Sequence, residues 1–95
     1  MFIDKYLSSN KLKLFYELYD NDYIDSIDKD NFIEIYNIFK KYNFYYMEDI
    51  IYKYLEIFTM DSDKVERGII NLKNILGDNY VYIIGEDLRL LKKII

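Results

Sequence analysis

Apolar side chains recur every three or four positions along most of this chain, the spacing of helices that bury one face. Met47, Ile50, Ile51, Tyr54, Leu55 and Phe58 keep that spacing without a miss and predict one helix. Phe32, Ile35, Tyr36, Phe39 and Tyr42 predict the helix before it. Asp30 or Asp28 is placed to cap it, because a short carboxylate accepts a bond from an N–H with no partner inside the helix. Asn43 suits a left-handed stop. Asp61 or Ser62 opens another helix, with Val65, Ile69, Leu72 and Leu76 on one face. Gly77 follows the last of them, where a residue with positive φ belongs.

The pattern is looser at the ends. Phe2 to Leu7 predicts a short helix that turns at Ser8-Ser9-Asn10, and Lys11 to Tyr19 a second, burying Leu12, Phe15, Tyr16 and Tyr19. Tyr80-Val81-Tyr82-Ile83-Ile84 has the composition of a strand. No second strand is available to pair with it, and a lone strand leaves its backbone groups unsatisfied. It therefore reads as a short helix capped by Asp78, with a last helix from about Glu86 through Leu88, Leu91 and Ile95. The expected fold is all-α: a compact bundle of five to six short helices forming a single domain over 1–95. A helix-pair repeat is also suggested. Asp28-Lys29-Asp30 and Asp61-Ser62-Asp63 each open a helix, followed by starts near Glu48-Asp49-Ile50 and Glu86-Asp87-Leu88, at offsets of 33 and 38 residues.

Composition narrows the chemistry. The chain has no His, Cys, Trp, Pro, Ala or Gln, and its three glycines stand alone at 68, 77 and 85. Without His or Cys the usual nucleophile–base arrangements are absent, and zinc would have carboxylates alone. Neither a P-loop nor a dinucleotide fingerprint is present. The chain is expected to be no enzyme, with no cofactor and no metal. Ile, Tyr and Asn are abundant, as AT-rich codon usage produces, so aromatic abundance by itself is weak evidence of function. No apolar run approaches the ~20 residues that span a bilayer. Met1-Phe2-Ile3-Asp4 lacks the basic and apolar parts of a signal peptide. A cytoplasmic protein without membrane contact is the expectation, with the host cell of a phage or virus as one setting.

Net charge is −4, and it is unevenly placed. Asp20, Asp22, Asp25, Asp28 and Asp30 face only Lys29 within eleven residues. Read as a calcium loop from Asp20, Asp28 or Asp61, the sequence puts apolar residues at required ligand positions and lacks the glycine at the bend. As a solvated, helix-capping loop the segment needs no ligand, and as an acidic surface it would steer a basic partner. The aromatic cluster Tyr42, Phe44, Tyr45, Tyr46 and Tyr52 is a second candidate. One helix face cannot bury Tyr45 and Tyr46 beside Phe44, so at least one is expected to reach solvent, as interface tyrosines do. The candidate contact residues are thus Asp20, Asp22, Asp25, Asp28 and Asp30 with Tyr42, Tyr45, Tyr46 and Tyr52.

Residues 44–91 resemble the helical repeat of mitochondrial transcription termination factors, in Glu48-Asp49-Ile50-Ile51, Leu72-Lys73-x-x-Leu76-Gly77 and Leu90-Leu91. Residues 28–58 resemble the helical end of BTB dimerisation domains. The first resemblance implies a nucleic-acid role, against which the acidic charge stands; neither supplies a functional residue. The leading expectation is a small acidic protein–protein interaction module, an inhibitor or regulator encoded by a phage or mobile element, with a protein partner bearing a basic surface. The alternatives are a helical-repeat nucleic-acid binder using Lys40, Lys41, Arg67, Lys73, Arg89, Lys92 and Lys93, and a self-assembling subunit forming homo-oligomers.

Overall fold

In the computed structural model, residues 1–95 form six α-helices: α1 (Ser9–Leu18), α2 (Asn21–Asp25), α3 (Lys29–Lys41), α4 (Met47–Lys53), α5 (Ser62–Leu76) and α6 (Tyr80–Glu86). Turns of 3₁₀ helix lie at Phe2–Tyr6, Leu55–Thr59 and Leu88–Lys93, and there is no strand. Residues 80–84 are helical, which settles the one ambiguous stretch.

Local chemistry sets the ends of the two long helices. The Asp28 carboxylate accepts a 2.8 Å bond from the Asn31 amide, and Asp61 a 2.8 Å bond from the Asp63 amide. Each satisfies an N–H left over at a helix start. After α3 the chain turns through Asn43 at φ 69°, and after α5 through Gly77 at φ 85°. The α6 start differs from expectation. Its cap position is Asn79, without a side-chain bond, and Asp78 is not the cap.

Residues 28–60 and 61–93 are built alike. α5, α6 and the final 3₁₀ turn each begin 33 residues after α3, α4 and the middle one, at 29 and 62, 47 and 80, 55 and 88. The second offset therefore corrects the expected 38, because the successor of α5 starts at Tyr80 and not near Glu86. Equivalent positions are buried in both units: Phe32 and Val65, Phe39 and Leu72, Met47 and Tyr80, Ile51 and Ile84, Phe58 and Leu91. A first, shorter unit precedes them, made of Phe2–Tyr6, α1 and α2. Its Phe2 and Tyr6 rings pack on Phe32 and Tyr36 of α3, while α1 lies against α4.

Residues 47–58, expected as one helix, break at Tyr54, where φ is −134°. The Tyr19 hydroxyl bridges the break. It donates to the Tyr52 carbonyl at 2.9 Å and accepts from the Leu55 amide at 3.5 Å, so helix-end groups find partners from another unit. The 3₁₀ turn that follows brings Ile57 inward with Leu55 and Phe58, and all three are fully buried.

Every one of the 23 buried residues is apolar or tyrosine, and they form one continuous cluster. Apolar burial therefore holds the units together, not a buried polar network. The radius of gyration, 13.1 Å, matches the ~13 Å of a compact body of this length. Phe58 is central. Its ring stacks on Phe32 at 4.7 Å and meets Phe39 at 6.0 Å.

Phe58→Ala is expected to cost about 3–5 kcal/mol, the range for a large buried aromatic, measured as a lower denaturant midpoint. Gly77 is different, because nothing lies within 4 Å of a Cβ placed there. At φ 85° and ψ −168°, Gly77→Ala should cost about 1–3 kcal/mol through backbone strain alone.

Candidate acidic edge and aromatic cluster

The turns joining the units come side by side. Ser26-Ile27-Asp28 and Thr59-Met60-Asp61, equivalent positions in the repeat, line one open groove of about 640 Å³ together with Asp30, Asn31 and Glu34. Asn31 fixes its width: the side-chain amide donates to the Phe58 and Met60 carbonyls at 3.2 and 2.9 Å. Glu34 accepts from the Ser62 hydroxyl at 2.9 Å. Four carboxylates (Asp28, Asp30, Glu34 and Asp61) thus face a groove that no Lys or Arg lines.

Asp20, Asp22 and Asp25 continue the same chain segment and are exposed, as are Asp28 and Asp30. The segment is not wholly a loop as expected, since α2 forms within it and buries Ile24, with Ile27 buried just beyond. Those two anchors turn the aspartates outward. None of the five takes part in an ion pair. No three carboxylates approach closely enough to hold a metal ion. The five aspartates are legible in the sequence as one charged run, whereas Glu34 and Asp61 join them only in the fold, although Asp61 occupies the repeat position of Asp28.

The aromatic cluster divides. Tyr45 is 69% exposed and is the one member available to a partner. Tyr46 is half-buried, its ring against Gly85 and its hydroxyl donating to the Val81 carbonyl. Burial pushes its phenol well above the usual tyrosine range. Tyr42 donates to Glu66 at 2.7 Å, and its carbonyl accepts from the Tyr80 hydroxyl at 3.3 Å. Tyr52 is partly covered, with the Lys11 ammonium 5.2 Å from its ring centre. Tyr42, Tyr46 and Tyr52 are thus bound up in contacts between units and are not a free surface. Tyr82, 61% exposed on α6, is an open aromatic that the sequence did not single out.

Several expected basic contacts are also committed. Lys11 pairs with Asp49 at 2.9 Å. Lys41 pairs with Glu66, and Arg89 with Asp87 at 2.9 Å. Lys41 and Arg89 are therefore neutralised members of the set proposed to touch phosphates. No helix is long and apolar enough to cross a membrane.

No known protein-family model matches the chain, and no curated protein or solved structure matches it either. The two sequence resemblances therefore gain no support from a family match.

Glu66 joins the second and third units, and its contacts with Lys41 and then Tyr42 hold its carboxyl below the usual glutamate range. A depressed folded-state pKa stabilises above the unfolded value, and that contribution is lost as pH falls through the folded one. Thermal stability should therefore decline on acidification through this window, and Glu66→Gln should flatten the decline. An unchanged acid limb in the variant would remove Glu66 from the account. Tyr46→Phe, which deletes only the hydroxyl facing Val81, should cost about 1 kcal/mol in chemical denaturation.

Proposed function

We propose that this chain is a non-catalytic protein-interaction module, an inhibitor or regulator whose acidic edge engages a basic surface on a protein partner. One observation carries the reading. The carboxylates of Asp20, Asp22, Asp25, Asp28 and Asp30 are all exposed and free of ion pairs, and Glu34 and Asp61 extend them across a groove without cations. Three side-chain ion pairs form in the chain, Lys11–Asp49, Lys41–Glu66 and Arg89–Asp87, and none reaches this edge. Concentrated like charge repels itself, and a cationic partner relieves that repulsion. Such a surface speeds encounter and selects among partners more than it adds to affinity.

The nucleic-acid alternative is weaker on this ground, because two of its seven basic residues are already paired and the net charge is −4. Phosphate binding depends on cations free to displace counterions.

Affinity capture from the source cells should recover a specific partner with the wild-type chain. Asp22→Lys/Asp25→Lys/Asp30→Lys should lose it, and raised salt should weaken the wild-type complex, since exposed charge pairs are screened. Equal recovery by the variant would rule out the acidic edge as the contact.

A further inference from the structure

The 33-residue repeat lets one interface be transferred to a surface with no partner. Asn31, Glu34, Ile38, Lys41 and the cap residue Tyr42 form one stripe along α3, and part of it touches the following unit. Glu34 meets Ser62 and Lys41 and Tyr42 meet Glu66, while Asn31 holds the carbonyls of Phe58 and Met60 where its own unit ends. The equivalent stripe on α5 is Lys64, Arg67, Asn71, Asn74 and Ile75. These recur every three or four positions, so they share one helix face. All five are exposed, Ile75 to 67%, and neither Lys64 nor Arg67 is in an ion pair.

We infer that this outer face of α5 is a docking surface for a second copy of the same chain, whose α2 it receives. Two features specify the occupant. By repeat equivalence, what packs on this stripe is a helical element. By charge, that element is acidic, because Glu34 of the α3 stripe is replaced by Arg67 and Asn31 by Lys64. Within the chain α2 has that character, with Asp22 and Asp25 exposed beside the partly open ring of Tyr23, which offers an apolar match for Ile75. One molecule cannot close this contact on itself. The first unit lies on α3 through Phe2 and Tyr6, and α5 lies on α3 through Glu66, so α2 and α5 belong to the two outermost units. Joining unlike surfaces propagates, and the product is a row of molecules head to tail.

The outer face of α5 lies outside the acidic edge, although Asp22 and Asp25 of α2 belong to both contacts. The test is light scattering of the purified chain across concentration at low and high salt. Wild-type chain should exceed the 11.7 kDa of one copy as concentration rises, and return toward it in high salt. Lys64→Ser/Arg67→Ser/Ile75→Ser should stay monomeric, and so should Asp22→Asn/Asp25→Asn. All these positions are exposed, and circular dichroism checks that each variant is folded. Mixed together, the two variants keep one intact surface each and should stop at a pair about twofold heavier than one chain. A wild-type chain that stays monomeric throughout overturns the inference, as does an assembly that either variant leaves intact. Partner capture that persists in the α5 variant separates failure here from failure of the acidic-edge reading.

Discussion

A helix of seven residues does not persist alone in water, because its nucleation cost exceeds what so few hydrogen bonds return. α4 and α6 are both that length, and the 3₁₀ turns after them are shorter still. Each exists because one side chain in three or four is removed from water by a neighbouring unit. Phe58 and Leu91, at equivalent places in those turns, are fully buried. Stacking is thus the constraint on which the rest depends, as in helical-repeat architectures, where a unit cannot bury its apolar face by itself. The same dependence explains why the core contains no buried charge. With so little local stability in each element, an unpaired buried polar group would cost as much as a whole helix returns.

Much of the fold is legible in the sequence wherever a feature is decided locally. Asp28, Asn43, Asp61 and Gly77 mark helix ends by their own side chain or backbone freedom, and the structure places all four there. The break at Tyr54 is not legible in this way. It depends on a hydroxyl from Tyr19, in another unit, taking up the carbonyl of Tyr52. The repeat is legible at its first offset and displaced at its second, because α6 starts at Tyr80 after an Asn79 that makes no side-chain cap, while the acids Glu86 and Asp87 lie at its far end.

The same division governs the candidate surfaces. Five aspartates close together in the sequence could be read as a charged surface without knowing the fold. Glu34 and Asp61 join it only through the packing of α3 beside the turn before α5. The tyrosines were harder, since nothing within residues 42–52 separates Tyr45 from Tyr46. The distinction lies in Gly85, whose missing side chain admits the Tyr46 ring, and in Glu66, which engages the Tyr42 hydroxyl. Tyr19, Tyr42 and Tyr46 serve here to join units.

An apolar interior combined with charged edges separates what must be kept from what is free to change. Positions that bury side chains between units tolerate little change in volume, and they recur with the repeat. Away from the caps Asp28 and Asp61, the exposed charges Asp22, Asp25 and Asp30 on the edge and Lys64 and Arg67 on the outer stripe of α5 make no ion pair, so they can change sign without disturbing the stack. Glu34 and Arg67 illustrate this: they are equivalent positions of opposite charge on helices that share one core. In the proposed binding role, specificity would reside in the sign and spacing of exposed groups, while the helices beneath hold those groups at a fixed separation.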